Sequence, residues 1–196
     1  MPWEKSFDEQ NAIESAMRIF WEKGYEATSI ANLIAGTGVN RGSLYNAFGG
    51  KRQLFTQSLL KYDVQTRRAF LAELEALDNP VLAFKTLFNT LVEQAQEDTQ
   101  PKGCFLVNTS IEIATHDKET KDIVTQAFTE FEAFFRRGIE VAKARSEMSS
   151  NIDPAATAKV LFSLVIAIRV LGRGAYDQSS LQVISDQAQH LVSQKI

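Results

Sequence analysis

The sequence predicts an all-α fold of about nine helices. Three observations carry that reading. Strand-like alternation is almost absent, glycine and proline are sparse (10 and 4 of 196 residues), and apolar side chains recur at spacings of three and four along most of the chain. With 44% hydrophobic and 23% charged residues, the chain has ordinary globular composition and can bury a core. Its length suits one domain or two small ones.

Ile13, Ala16, Met17, Phe20 and Trp21 fall on one face of a first helix, which Gly24 ends. Thr28 or Ser29 caps a second, with Ile30, Leu33 and Ile34 inward. Gly36 and Gly38 make a turn. Asn40 caps a third helix, anchored by Leu44 and Phe48. A long helix follows over about residues 51–77. Asn79-Pro80 restarts the chain as cap and first-turn proline, and Leu82, Phe84, Leu87, Phe88 and Leu91 pattern the next helix. A polar linker at 98–103 precedes a short helix over about 104–115. A long helix spans about 118–148, Asp153-Pro154 opens one that ends near Gly172 and Gly174, and a last runs over about 180–194.

Short helix, glycine turn, short helix, then the start of a third is the sequence form of a helix-turn-helix, which lays one helix in a DNA major groove. Charge agrees. The chain carries a net charge of −3, which argues against indiscriminate coating of nucleic acid. Yet no Asp or Glu occurs between Ala27 and Tyr62, where Arg41, Lys51, Arg52 and Lys61 are positive. A locally basic surface on an acidic protein suits a reader with a small footprint.

The block from Phe20 to Phe55 resembles the N-terminal domain of the tetracycline-repressor (TetR) family. The resemblance rests on Leu44, Tyr45, Phe48 and Lys51 at their mutual spacing, with Gly24 and Gly38. It covers about the first third of the chain, and the remainder matches in length and helical pattern. It implies a homodimeric transcriptional repressor that leaves a palindromic operator when a small molecule occupies its C-terminal domain. Residues 1–52 would form the DNA-binding domain and 53–196 the ligand-binding and dimerisation domain. By the resemblance, Tyr45 and Lys51 touch phosphates, while Arg41, Gly42, Ser43 and Asn46 lie on the recognition helix, flanked by Thr28, Ser29 and Asn40. Asn46 replaces a larger ring common in the family, and the basic N-terminal arm of some members is reduced to Lys5.

Chemistry supports these assignments. Lys51, at a helix start, adds its charge to exposed N–H groups, and both favour a phosphate. Arg41 and Asn46 are side chains that pair bidentately with guanine and adenine; Arg41 as a phosphate contact is an equal alternative. Tyr45 reads either as a phosphate donor or as a half-buried core aromatic. A recognition helix this short needs a second copy about one DNA turn away, ~34 Å. The last two helices offer the dimer surface, since Val160, Leu161, Leu164, Val165, Ile168 and Leu171 exceed one core face; a fully buried central helix is the alternative.

Phe84, Phe88, Phe105, Phe128, Phe131 and Phe162 suit the lining of a pocket for a small apolar effector, though aromatics at helical spacing also make plain core. Asn108, Thr109 and Glu112 are candidate polar contacts. Arg169 reads as an ion pair at the interface or pocket rim in preference to a ligand carboxylate clamp. Cys104, the single cysteine, follows Lys102-Gly103 at a helix start, where dipole and lysine favour a thiolate. Its setting resembles that of thiol-sensing family members; a small buried apolar residue is the alternative reading.

No enzyme is expected. His116 and His190 are isolated, no metal-ligand spacing occurs, and phosphate-loop and dinucleotide fingerprints are missing, so neither cofactor nor metal is anticipated. With no basic-apolar leader at the start and no span fit for a bilayer, the expected location is the cytoplasm, with no membrane partner. A second functional reading is a helical small-molecule-binding protein whose helix-turn-helix no longer reads specific DNA.

Overall fold

The computed structural model describes residues 7–97 and 102–193. Lys5 and the linker residues 98–101 lie outside it. The described residues form α1 (Glu9–Lys23), α2 (Ile30–Thr37), α3 (Arg41–Phe48), α4 (Lys51–Tyr62), a π-helical segment (Asp63–Arg68), α5 (Ala69–Glu75), α6 (Pro80–Glu97), α7 (Phe105–Ile111), a 3₁₀ turn (Ile113–Thr115), α8 (Lys118–Ala144), α9 (Pro154–Leu171) and α10 (Gln178–Ser193), with no strand among them. Since α4, the π segment and α5 follow without a break, they make one rod, and the described α-helical rods number nine.

The expected punctuation is present except at Gly36, which lies inside α2 and leaves the turn to Gly38. Asp8 caps α1 through the backbone N–H of Gln10 and Asn11, and Gly24 ends that helix at φ 80°. Ser29, not Thr28, caps α2, in a reciprocal box with Asn32. Asn40 caps α3, and Asp153 caps α9 ahead of Pro154. Two successive glycines, Gly49 (φ 78°) and Gly50 (φ 118°), turn the chain from α3 into α4, a conformation that residues with a Cβ resist.

Two apolar cores form. The first joins α1–α4 through Phe20, Leu33, Leu44, Leu54, Phe55 and Leu59, and it also takes in Phe105 and Leu106 of α7 and Val124 and Ala127 of α8. The second holds α5, α6, α8, α9 and α10 together through residues such as Leu74, Phe84, Phe88, Phe135, Leu161 and Ile168. The N-terminal helices are therefore bolted onto the C-terminal half by α7 and α8 as well as by the α4 rod. The junction adds Arg52 Nε to Asp117 Oδ2 at 3.4 Å and His116, stacked on Phe55 with ring centroids 5.3 Å apart.

The expected long fourth helix is interrupted by the π segment, and charge explains where. Asp63 is buried, and its carboxylate accepts from Arg67 Nε and Nη2 and from Arg68 Nε. In an α-helix residues four and five positions on lie on different sides; a π turn sets i+5 nearly above i. Widening the turn thus brings both successive arginines to one carboxylate. Arg67 Nη2 (2.7 Å) and Arg68 Nη2 (3.1 Å) also donate to Glu130 of α8. Burial works against ionised Glu130, but the hydrogen bonds from Arg67 and Gln126 and both guanidinium charges hold its carboxyl below its ordinary range.

The helix expected over 104–115 divides at Glu112 into α7 and the 3₁₀ turn. α8 stops at Ala144, because Ser146 takes a left-handed backbone (φ 59°).

Candidate DNA-reading face and effector cavity

The first turn of α3 presents Arg41 and Gly42 to solvent, with Ser43 half-buried; one turn on, Tyr45 and Asn46 are exposed. On the opposite side of the same short helix Leu44 and Phe48 are buried in the first core. Tyr45 is 44% exposed, so its ring is about half covered while its remaining surface is open. Its ring lies against Gly50, where a Cβ would sit 3.2 Å from the ring, and the Arg41 guanidinium stands 5.9 Å from its centroid. Arg41, Tyr45 and Asn46 therefore share one open face. Asn40 is exposed, but its Oδ1 is committed to the Ser43 N–H (2.9 Å). Exposed Ser29 stands at the start of α2.

Thr28 is a correction. It is fully buried, and its hydroxyl donates to the Gly24 carbonyl at 2.6 Å. It braces the turn between α1 and α2 and shows no side chain to DNA. The basic window also narrows on folding. Lys61 turns away to the Gln10 carbonyl (3.0 Å) and Glu14 (3.6 Å), and Arg52 leans on Asp117. Arg41 and Lys51 remain. Lys51 starts α4, which has no side-chain cap at its N-terminus, and its ammonium lies 4.3 Å from the Tyr25 ring centroid. The same ammonium also donates to the Glu26 carbonyl at 3.5 Å, beside a helix start of the kind that favours anions.

In the C-terminal half, a cavity of about 220 Å³ opens between the π segment and α5 on one side and α6–α9 on the others. Phe128, Phe131, Phe162, Cys104 and Arg169 line it, with Phe162 centred 5.0 Å from Phe128 and 5.5 Å from Phe131. The remaining expected lining residues are elsewhere. Phe84 and Phe88 pack on Phe135 inside the second core, and Phe84 edges only a distal cleft. Phe105 faces Phe55 and Tyr62 in the first core. Asn108 donates to the Lys102 carbonyl (2.7 Å) and accepts from Arg173 (3.1 Å), beside a separate cleft at the domain junction that Thr109, Glu112 and His116 share. Each lies on a helix with two buried sides, and only one of those sides meets the void.

The sequence reading missed Tyr62, Thr66, Arg67, Phe70 and Gln94, which also line the cavity. Tyr62 is buried against Trp21 and Phe105. The Cys104 side chain and the Phe105 backbone lie beside its phenol. Burial, followed by the Cys104 thiol, pushes the phenol well above its ordinary range, with the Arg169 guanidinium opposing. Cys104 is half-buried and packs against the edge of the first core. No group of three or more metal-ligating side chains occurs among the described residues.

Comparison with known proteins agrees with this geometry. Residues 12–57 match the family described as bacterial regulatory proteins, tetR family, and residues 81–185 match the tetracyclin repressor-like C-terminal domain, more than half of the chain. The chain belongs to the TetR family. It is thus a helix-turn-helix transcriptional repressor and not an enzyme. It is 28% identical to the uncharacterized HTH-type transcriptional regulator YezE of Bacillus subtilis, over 91% of this chain and 92% of that one. It is 31% identical to the HTH-type transcriptional repressor BdcR of Escherichia coli, over 79% and 80%. Among solved structures, the TetR-family regulator CifR, a cysteine mutant in complex with 26-bp operator DNA, superposes with a TM-score of 0.82 at 24% identity, covering 95% of this chain and 97% of that one. Reduced E. coli NemR superposes at 0.86 with 13% identity, over 95% and 98%. These two likenesses show the TetR fold.

Proposed function

We propose that the protein holds a palindromic operator as a homodimer and releases it when a small apolar molecule fills the cavity or when Cys104 is modified. One observation carries the reading. The rod that begins at Lys51, directly behind the recognition helix, becomes a wall of the cavity at Thr66, Arg67 and Phe70. Whatever displaces that wall displaces the helix-turn-helix, and two half-sites at fixed spacing convert a shift of a few ångströms into loss of simultaneous docking.

Residues 1–52 read DNA in this scheme and 53–196 sense and dimerise. Ser29, Arg41, Gly42, Ser43, Tyr45, Asn46 and Lys51 form the DNA contact, with Asn40 shaping the start of its helix. The second copy covers α9 and α10. Leu161, Val165 and Ile168 of α9 face their own core, whereas Val160 (47%) and Val183 (59%) are exposed, and α9 as a whole has a mean hydropathy of 1.8. An apolar face of that kind on a working cytoplasmic protein calls for a partner.

The test is a gel shift on DNA flanking the protein's own gene, at near-physiological salt, with and without a thiol alkylator. Discrete complexes at nanomolar protein support the repressor reading, and their loss on alkylation assigns Cys104, provided the Cys104→Ser variant keeps binding and ignores the reagent. A specific complex indifferent to alkylation leaves the cavity ligand as the release signal. If selection from random DNA also yields no site, the operator reading is wrong.

A further inference from the structure

We propose that the molecule admitted by this cavity is an organic carboxylate with an aromatic or fused-ring body, its acid group held by Arg169. The inference rests on the cavity being the effector site, and it names the chemistry that the site selects.

Arg169 is half-buried on the inner side of α9. It makes no ion pair with any described carboxylate, unlike the other guanidinium on the cavity wall. Arg67 is neutralised by Asp63 and Glu130, so it has little capacity left for a ligand. The carboxylates that edge this space, Glu73 of the cavity itself and Glu97 of its neighbour, sit on exposed stretches of α5 and α6 and do not pair with Arg169. A partly desolvated guanidinium among Tyr62, Leu91, Gln94 and Cys104 is costly without a counter-charge, and its planar fork matches a carboxylate through two parallel hydrogen bonds.

Position fixes the rest of the molecule. Arg169 and Tyr62, Thr66, Leu91 and Gln94 border both the 220 Å³ cavity and an adjoining one of about 360 Å³ lined by Gly103, Gly172 and Arg173. Arg169 therefore stands at the neck between an aromatic chamber and a more polar one. An acid placed at the neck leaves its body among Phe128, Phe131 and Phe162. At interior packing density, ~0.74, the aromatic chamber accepts a body of about 160 Å³, the size of one or two fused rings. Gln94 and Thr66 supply neutral hydrogen-bonding groups at the same neck, and neither repels an anion.

The experiment titrates the full-length protein with 1-naphthoate, its neutral amide 1-naphthamide and the cation 1-naphthylmethylammonium by isothermal calorimetry. The expected order is acid first, with at least a tenfold margin over the amide, and no measurable binding of the cation. Arg169→Gln should lose at least tenfold for the acid and leave the amide unchanged. Arg169→Lys, which keeps the charge, should recover part of the loss. Unchanged helical circular dichroism shows that each variant is folded. Equal binding of acid and amide, or an acid affinity indifferent to Arg169→Gln, overturns the carboxylate assignment and leaves the cavity as an effector site. Failure of all three probes at millimolar concentration removes both.

Discussion

Replacing Asp63 with Asn tests the charge network that winds the α4 rod. The substitution keeps shape and removes one negative charge. Arg67 and Asp63 are 7% and 3% exposed, and Asp63 supplies both acceptor oxygens of a two-pronged pair, plus one for Arg68 at 2.9 Å. Breaking a buried pair from one side costs about 3–5 kcal/mol, because the remaining charge stays buried. Glu130 remains in contact with Arg67 at 2.7 Å and is partly open to solvent, so it offsets some of that loss. The expected cost is roughly 2–3 kcal/mol. For a chain of this size that is a fall in melting temperature of roughly 5–10 °C. The assay is urea unfolding at fixed protein concentration, since the proposed dimerisation would make stability concentration-dependent. The midpoint should drop with an unchanged slope. Glu130→Gln is the internal comparison and should cost under about 1 kcal/mol, as partly exposed pairs do. An Asp63→Asn cost below about 1 kcal/mol, or one equal to that of Glu130→Gln, would refute the claim that Asp63 holds the network.

Three further outcomes are expected. Lys51→Ala should weaken binding to all DNA sequences alike and lower the slope of log K against log salt by about one per protomer; an unchanged slope in salt titrations removes Lys51 from the phosphate contact. Val160→Glu places a charge on the open face of α9 and should convert dimer to monomer in sedimentation velocity, whereas an undisturbed dimer puts the interface elsewhere. Burial lowers the pKa of His116 in spite of Glu112, Asp117 and Glu26 nearby, with Lys121 adding to the lowering. The unfolded chain therefore takes the proton more readily, and this contribution to stability is complete above the unfolded pKa of about 6.5 and declines as pH falls below it. His116→Phe, which preserves a ring against Phe55 and Tyr25, should flatten stability between about pH 6.5 and 5; an identical profile would assign the acid sensitivity to other groups.

What was legible in the sequence depended on how local the physics is. Asn40, Asp153-Pro154, Gly24 and Gly38 act within one turn of chain, and they placed the helix ends beside them to within a residue or two. The open face of α3 followed from the same local signals, since Leu44 and Phe48 fix which side of that helix is buried. Thr28 and Ser29 show the limit. Both are capping types at adjacent positions, and the side chain of Asn32 decides between them. The cavity was half legible. A periodic phenylalanine announces burial but not which buried side borders empty space, so Phe128, Phe131 and Phe162 carried the same signature as Phe84 and Phe88. Arg169 stood out as a charge on an apolar stripe, and only the fold shows that no described carboxylate meets it. The π segment had a faint signal: an acid followed four and five residues later by arginines reads equally as an ordinary surface pair.

The turn held by Asp63 also sets a phase. A π turn accommodates one residue more than an α-helix joining the same two ends, so the pieces of rod before and after it keep their relative bearing despite the surplus. If those residues relaxed to α-helical winding, the extra residue would rotate the reading head by about 100° about the rod and move it about 1.5 Å along it. Deleting exposed Val64 should therefore leave operator recognition intact, with the rod simply α-helical throughout, whereas inserting a residue there should misalign the two halves. The bearing of the N-terminal helices relative to the cavity is in this sense stored as a count of residues, and the Asp63 side chain between two arginines keeps that count from being read out.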